Sequence, residues 1–184
     1  LDVVTNHTGD VIQYKEKDAF IPSDMTNAKN PAWLNDLNNY HNVGDMNSCW
    51  GDGSCMQLGD FYGLDDIATE KPVVYNGWAD VYGKWIKDYG LSGFRVDTAR
   101  HVDDNFFKNW SPQIDAAAKS VGINDFTIFG EVWDVNPINL MNYIRRNKIQ
   151  TVLDFPFQRS AAEFASGYSD ATTIENLFSY DDLY

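Results

Sequence analysis

The chain has 184 residues, 43% hydrophobic and 15% aromatic, which is enough apolar surface for one sizeable core and too much for a disordered chain. Lys and Arg total 14 against 27 Asp and Glu; the formal net charge of −13 repels nucleic acid and suits a neutral ligand or a bound cation, although solubility alone also accounts for acidity. No apolar run approaches the roughly 20 residues of a membrane span, so no membrane association is expected, and no signal peptide stands at the start.

Leu1 to Val4 is apolar and β-branched and predicts a strand that ends at Asn6-His7. From Thr8 to about Asp66 no period holds, and Asn, Asp and Gly alternate with single aromatics (Trp33, Tyr40, Trp50, Phe61, Tyr62). So long a structureless stretch is uncommon within a compact domain and usually functional, so residues 8–66 read as an irregular subdomain carried on a loop. Within it Cys49 and Cys55 flank a Gly-rich loop and could form a disulfide, which would favour an oxidising compartment. Two thiols are too few for a zinc site unless His or Asp joins them.

Order returns at Thr69-Glu70-Lys71-Pro72, a helix start with proline in the first turn. Val74, Trp78, Tyr82, Trp85 and Ile86 recur at helical spacing, and Gly90 supplies the stop. Leu91 to Asp97 reads as a strand. A helix over about 103–121 carries Phe107, Trp110, Ile114, Ala118 and Val121 on one face, with a bend expected at Pro112. Phe126 to Val132 is the next strand, Pro137 to Asn147 a helix, Thr151 to Phe155 a strand, and Gln158 to Tyr184 helical with a break at Gly167.

Such alternation implies parallel strands with crossover helices, as an open doubly wound sheet or a (β/α)8 barrel. Polar residues gather at the C-terminal ends of successive strands: Asn6 and His7, then Arg95 and Asp97, then Glu131. Barrel enzymes collect catalytic groups at that face, whereas an open sheet tends to carry a glycine-rich phosphate loop, and none follows a strand here. The expected fold is an α/β, partial (β/α)8 TIM barrel built from residues 1–7 and 67–184, with the long insertion 8–66 after its first visible strand. Four strands are about half a barrel, so the isolated chain is expected to be an inactive fragment.

In Gly93-Phe94-Arg95-Val96-Asp97 the strand period puts Arg95 and Asp97 on one face and Phe94 and Val96 on the other. A neighbouring arginine favours the charged carboxylate, which suits attack on a sugar carbon. Glu131 stands in Phe129-Gly130-Glu131-Val132-Trp133, where apolar neighbours would raise its pKa and keep a proton available. One ionised and one protonated carboxyl are what glycoside hydrolysis requires. Spacing alone also admits an internal Arg95–Asp97 ion pair and a solvated Glu131.

Asp2-Val3-Val4-Thr5-Asn6-His7, Gly93 to His101, and Gly130-Glu131-Val132-Trp133-Asp134 resemble the first three signature segments of the α-amylase family. Leu64-Asp65-Asp66 resembles the segment where that family's inserted subdomain returns to the barrel. The resemblance covers essentially the whole chain. It implies Asp97 as nucleophile, Glu131 as acid/base and Arg95 orienting Asp97. His7 is implied at the cleavage subsite, with Arg100 and His101 lining the adjoining one, Arg100 where many members carry lysine. Asp2 is expected as a buried strand-end support. The family retains anomeric configuration, with carboxyls roughly 5–5.5 Å apart.

A structural calcium is also implied, held by Asn6, Asp66 and the backbone carbonyl of His101, oxygen donors that suit this cation. Alternatively Asn6 caps a turn and Asp66 caps the helix near Thr69. No match to the fourth signature segment is found, and Asp154 resembles the preceding strand instead. The resemblance thus implies a secreted, monomeric hydrolase of α-1,4-glucans such as starch. Pullulan- or cyclodextrin-cleaving and transglycosylating members share the chemistry, and a non-catalytic carbohydrate-binding or scaffolding relative would share the fold.

Overall fold

The computed structural model describes residues 1–50 and 54–183. Gly51, Asp52 and Gly53, the centre of the Cys-to-Cys loop, lie outside the described residues, as does Tyr184 at the end of the predicted last helical stretch. The strands in chain order are β1 (Asp2–Val4), β2 (Gln13–Lys15), β3 (Asp18–Phe20), β4 (Gly93–Asp97), β5 (Thr127–Gly130) and β6 (Thr151–Val152). The helices are α1 (Cys55–Leu58), α2 (Pro72–Tyr89), α3 (Phe106–Lys119), α4 (Pro137–Arg145), α5 (Phe155–Ala165) and α6 (Thr172–Phe178). β1, β4, β5 and β6 form one parallel sheet in that order, and helices cross over between successive strands. This is the predicted alternation.

α2 opens on Pro72 and closes on Gly90, whose φ of 63° is left-handed and inexpensive only for glycine. It buries Val74, Trp78 and Ile86, but Trp85 departs from the expected stripe, half exposed and stacked on Tyr89 at 5.0 Å. α2 lies along α3, with the small residues Gly83 and Ala117 at their contact. α3 buries Phe107, Trp110, Ile114 and Ala118 as expected; Val121 is exposed because the helix has ended at Lys119. The core centres on Trp110, fully buried and stacked at 5.5 Å on Phe106 and at 6.1 Å on Phe94.

Among the departures from expectation, two boundaries and one exposure have a local reason. α3 starts at Phe106, because the Asp103 side chain accepts from the Asn105 N–H in a turn just before it. β6 stops at Val152, because Asp154 caps α5 by accepting from the Phe157 N–H at 2.9 Å. Asp2, expected buried, has a side chain 62% exposed, because β1 is an edge strand with nothing over its free side among the described residues.

The described residues of 8–66 add no strand to the main sheet. They hold the β2–β3 hairpin, two short 3-10 turns at Ala32–Asn35 and Leu37–Asn39, and the single turn α1. Ile12, Leu34 and Tyr40 nevertheless join the main core. Trp33 packs edge-on against Trp78 at 5.3 Å, over a helix surface kept bare by Gly77. Buried Lys29 donates to Asp65, whose carboxylate also accepts from the Val11 and Ile12 N–H groups.

A Cβ on Gly77 would fall inside the Trp33 ring. Gly77→Ala is expected to destabilise by about 1 kcal/mol, overpacking of about 1–3 kcal/mol exceeding the helix-propensity gain of about 1 kcal/mol. In a Trp33→Ala background the same change should stabilise; denaturant titration of the four proteins checks both signs, and a stable single mutant would refute this docking.

Candidate active site

The β4–β5 register pairs Arg95 with Phe129 and Val96 with Gly130, and the Glu131 N–H continues the ladder to the Val96 carbonyl at 2.8 Å. That alignment brings Asp97 and Glu131 to the same level at the ends of adjacent strands. Gly130 permits it, since a Cβ there would collide with Ala99 and Ile149.

Arg95 joins the carboxylates. One guanidinium nitrogen reaches Asp2 at 2.7 and 2.8 Å and Asp97 at 3.1 Å, and the other reaches Glu131 at 2.8 Å. Through Arg95 the two carboxyls are brought side by side, close enough for Asp97 to bear on the Glu131 proton. Burial first, and then the contact with Asp97, raise Glu131 above the ordinary glutamate range, with Arg95 and the Thr98 N–H opposing. The expected neighbourhood of Glu131 was apolar; the observed one is part-buried and ionic. Thr98, directly after Asp97, is β-branched yet has φ 50°, a strained conformation that turns the chain into the 3-10 turn Ala99–His101.

A cleft of about 500 Å³ opens over this level, lined by Glu131, Arg100, His101 and Trp133 on one side and by Met56, Phe61 and Tyr62 of the insertion on the other. A cleft of about 550 Å³ beside Phe107 and Phe126 holds none of these carboxylates. His7 stacks on Phe61 at 5.4 Å and bonds Asn6 Oδ1 through Nδ1 at 2.8 Å. The His101 ring meets the Phe61 edge at 4.9 Å, and its Nδ1 bonds the Met56 carbonyl at 2.9 Å. Burial lowers both imidazoles below the ordinary histidine range. Arg100 donates to the Trp133 carbonyl at 2.7 Å and lies 3.9 Å from Asp134. The structure therefore brings His7, Arg95, Asp97, Arg100, His101 and Glu131 together.

Asn6 and Asp66 meet on the seam between insertion and sheet: His7 bridges with Asp66, and the Ile67 N–H donates to the Asn6 carbonyl at 2.9 Å. Both side chains are buried. Asn6 Oδ1 accepts from Thr98, and His41 bonds Asp66 Oδ2, while Asn6 Nδ2 and Asp66 Oδ1 have no protein partner. Burial pushes the Asp66 carboxyl up to about 7, against the pull of His41. Burial lowers His41, but its contacts with Asp66 and Glu70 outweigh that and raise it to about 9, so the His41–Asp66 contact is ionic between about pH 7 and 9. Lys71, not Asp66, stands at the N-cap of α2. Among the described residues no cluster of three His, Cys, Asp or Glu side chains could hold a metal.

Cys49 and Cys55 are disulfide-bonded. Sequence reasoning passed over Phe61, His41 and the Met56 carbonyl. The first two stand near the Asp65-Asp66 segment or bear on it, which was a usable signal; a backbone carbonyl leaves none.

The sequence profile described as "Alpha amylase, catalytic domain" matches residues 1–184. An alpha-amylase of Streptomyces lividans is 35% identical over all of this chain, which spans 24% of that relative's length. A cyclomaltodextrin glucanotransferase of Klebsiella oxytoca is 30% identical over 88% of this chain and 24% of its own. Among solved structures, an Anoxybacillus alpha-amylase superposes with TM-score 0.65 at 28% identity, over 89% of this chain and 31% of that one. The Geobacillus thermoleovorans alpha-amylase solved with acarbose gives TM-score 0.64 at 27% identity, over 88% and 31%. With the profile matched from end to end and its signature segments meeting at one row of strand ends, the chain belongs to the alpha-amylase family of (β/α)8-barrel glycoside hydrolases, of which it covers part of the catalytic domain.

Proposed function

We propose that this chain is the catalytic segment of a retaining hydrolase of α-1,4-glucans such as starch, with Asp97 as nucleophile and Glu131 as acid/base. The observation that carries the reading is the gathering of Asp97 and Glu131 on one Arg95 guanidinium, at 3.1 and 2.8 Å, beside a cleft of about 500 Å³. Two carboxyls sharing one guanidinium favour the roughly 5–5.5 Å of a retaining pair over the roughly 6.5–9.5 Å of an inverting one. Residues 1–7 and 67–184 form the barrel part and 8–66 the inserted subdomain.

In the first step Glu131 protonates the glycosidic oxygen while Asp97 attacks the anomeric carbon, giving a glycosyl ester and a free alcohol end. Glu131, now ionised, takes a proton from water, which attacks the same carbon and releases Asp97. Arg95 orients Asp97 through their contact at 3.1 Å. His7 bonds the sugar at the cleavage point, and Arg100 and His101 bound the adjoining subsite. The transglycosylating reading replaces that water with a sugar hydroxyl, and the likeness to the Klebsiella oxytoca glucanotransferase favours keeping it as the second reading. A non-catalytic relative is disfavoured because Asp97, Glu131, Arg95 and His7 stand together.

The seam fits calcium: Asp66 Oδ1 is a buried carboxylate oxygen lacking a protein partner, and hard cations take oxygen donors. Asn6, Asp66 and the His101 carbonyl would hold it. When bound it would act structurally, offsetting the Asp66 charge and tying insertion to barrel. Secretion and a monomeric state follow from the family reading, and the disulfide agrees with an oxidising compartment.

Reducing-sugar release from soluble starch by the full-length protein is expected, and its absence with calcium present would refute the hydrolase reading. Asp97→Asn should abolish turnover while sparing the fold, since an amide cannot form the ester; Glu131→Gln should lower kcat about 10²–10⁴-fold. Because Glu131 must be protonated in the free enzyme and its pKa is raised, kcat/KM should fall only above the ordinary glutamate range, as pH rises through that pKa. Chelation should lower the thermal midpoint by about 2–4 °C per kcal/mol of lost binding, and Asp66→Asn should blunt the response.

A further inference from the structure

The wall of the cleft opposite Glu131 is a short piece of chain with unusual fastening. α1 is a single turn, too short to hold itself together as a helix. Its first residue, Cys55, is bonded to Cys49. Its second, Met56, lines the cleft with its side chain and accepts from His101 Nδ1 with its carbonyl at 2.9 Å. Its third, Gln57, donates to Asp104 at 3.4 Å, on the chain that leaves the His101 turn. The flanks are sewn to each other: the Met46 N–H donates to the Asp60 carbonyl at 2.9 Å, and the Asp60 N–H to the Gly44 carbonyl at 2.8 Å. Gly59 sits so close to the Met46 backbone that no side chain fits between them.

A carbonyl can only accept, so this bond requires the proton on Nδ1 and leaves Nε2 of neutral His101 as an acceptor. The ring also meets Phe61 at 4.9 Å. We propose that the Cys49–Cys55 disulfide is a positioning device for His101: it clamps the turn whose Met56 carbonyl fixes the imidazole tautomer, so that Nε2 meets a sugar hydroxyl in the cleft as an acceptor. This rests on the glucan reading of the same cleft. Cys49 and Cys55 touch no substrate; they act through Met56 and His101. The link from disulfide to ligand is one covalent bond, one residue of chain and one hydrogen bond.

The test is a double-mutant cycle on the full-length protein, with Cys49→Ser/Cys55→Ser as one change and His101→Asn as the other. Acarbose affinity by calorimetry is the primary readout, and kcat and KM on maltoheptaose the second. Opening the disulfide should weaken acarbose about five- to tenfold in the wild type and raise KM more than it lowers kcat. In the His101→Asn background it should have almost no further effect. Equal weakening in both backgrounds, or a lowered thermal midpoint with unchanged affinity, would make the disulfide merely structural and overturn the proposal. Should the serine pair fail to fold, native protein reduced with a phosphine and capped with iodoacetamide, compared with His101→Asn treated alike, reads the same coupling. Failure of the untreated wild type to bind acarbose would instead overturn the glucan reading and this proposal with it.

Discussion

The rest of the site depends on the Arg95 guanidinium. It touches Asp2, Asp97 and Glu131 in a chain whose net charge is already −13. Two like charges about 4 Å apart near a protein surface repel by about 4 kcal/mol, a cost that carboxyls gathered at one row of strand ends must offset. A permanent cation in a planar fork reaches both carboxyls and offsets that repulsion. Strands of three to five residues suffice, because the parallel register sets Asp2 beside Arg95 and brings Asp97 level with Glu131.

The second constraint is the seam by which the insertion returns to the sheet. Adjacent aspartates divide the work. Asp65 closes on Lys29 and two backbone N–H groups, while Asp66 meets His41 and keeps one oxygen free of protein partners. Breaking a buried pair such as Lys29–Asp65 costs about 3–5 kcal/mol, so the insertion is fastened and not merely draped over the barrel. That matters for the cleft, because Phe61 and Met56 reach it from this segment. The aromatic ring between His7 and His101 is thus placed by salt bridges and hydrogen bonds some distance from it.

Much of the barrel portion was legible in the residues themselves. The 3.6-residue spacing in α2 and α3, Pro72 as start and Gly90 as stop, and the two-residue alternation of Arg95 and Asp97 are local properties, set by backbone sterics and by which face must leave water. Errors fell at boundaries, where short-range hydrogen bonds by Asp103 and Asp154 compete with the extended or helical pattern. The insertion was legible only as lacking a period, because its order comes from side-chain pairs far apart in sequence.

The sequence by itself determined the alternation of strands and helices, the face on which each polar residue would stand, and the chemical types available at the strand ends. Those are short-range consequences of dihedral preference and hydrophobic spacing. Only the tertiary structure decided that Arg95 spans both carboxyls, that Asp97 and Glu131 stand level on adjacent strands, and that the Met56 carbonyl holds His101. Each depends on strand register or on the docking of a loop without a repeating pattern, and such contacts between distant residues leave no period in the chain to read.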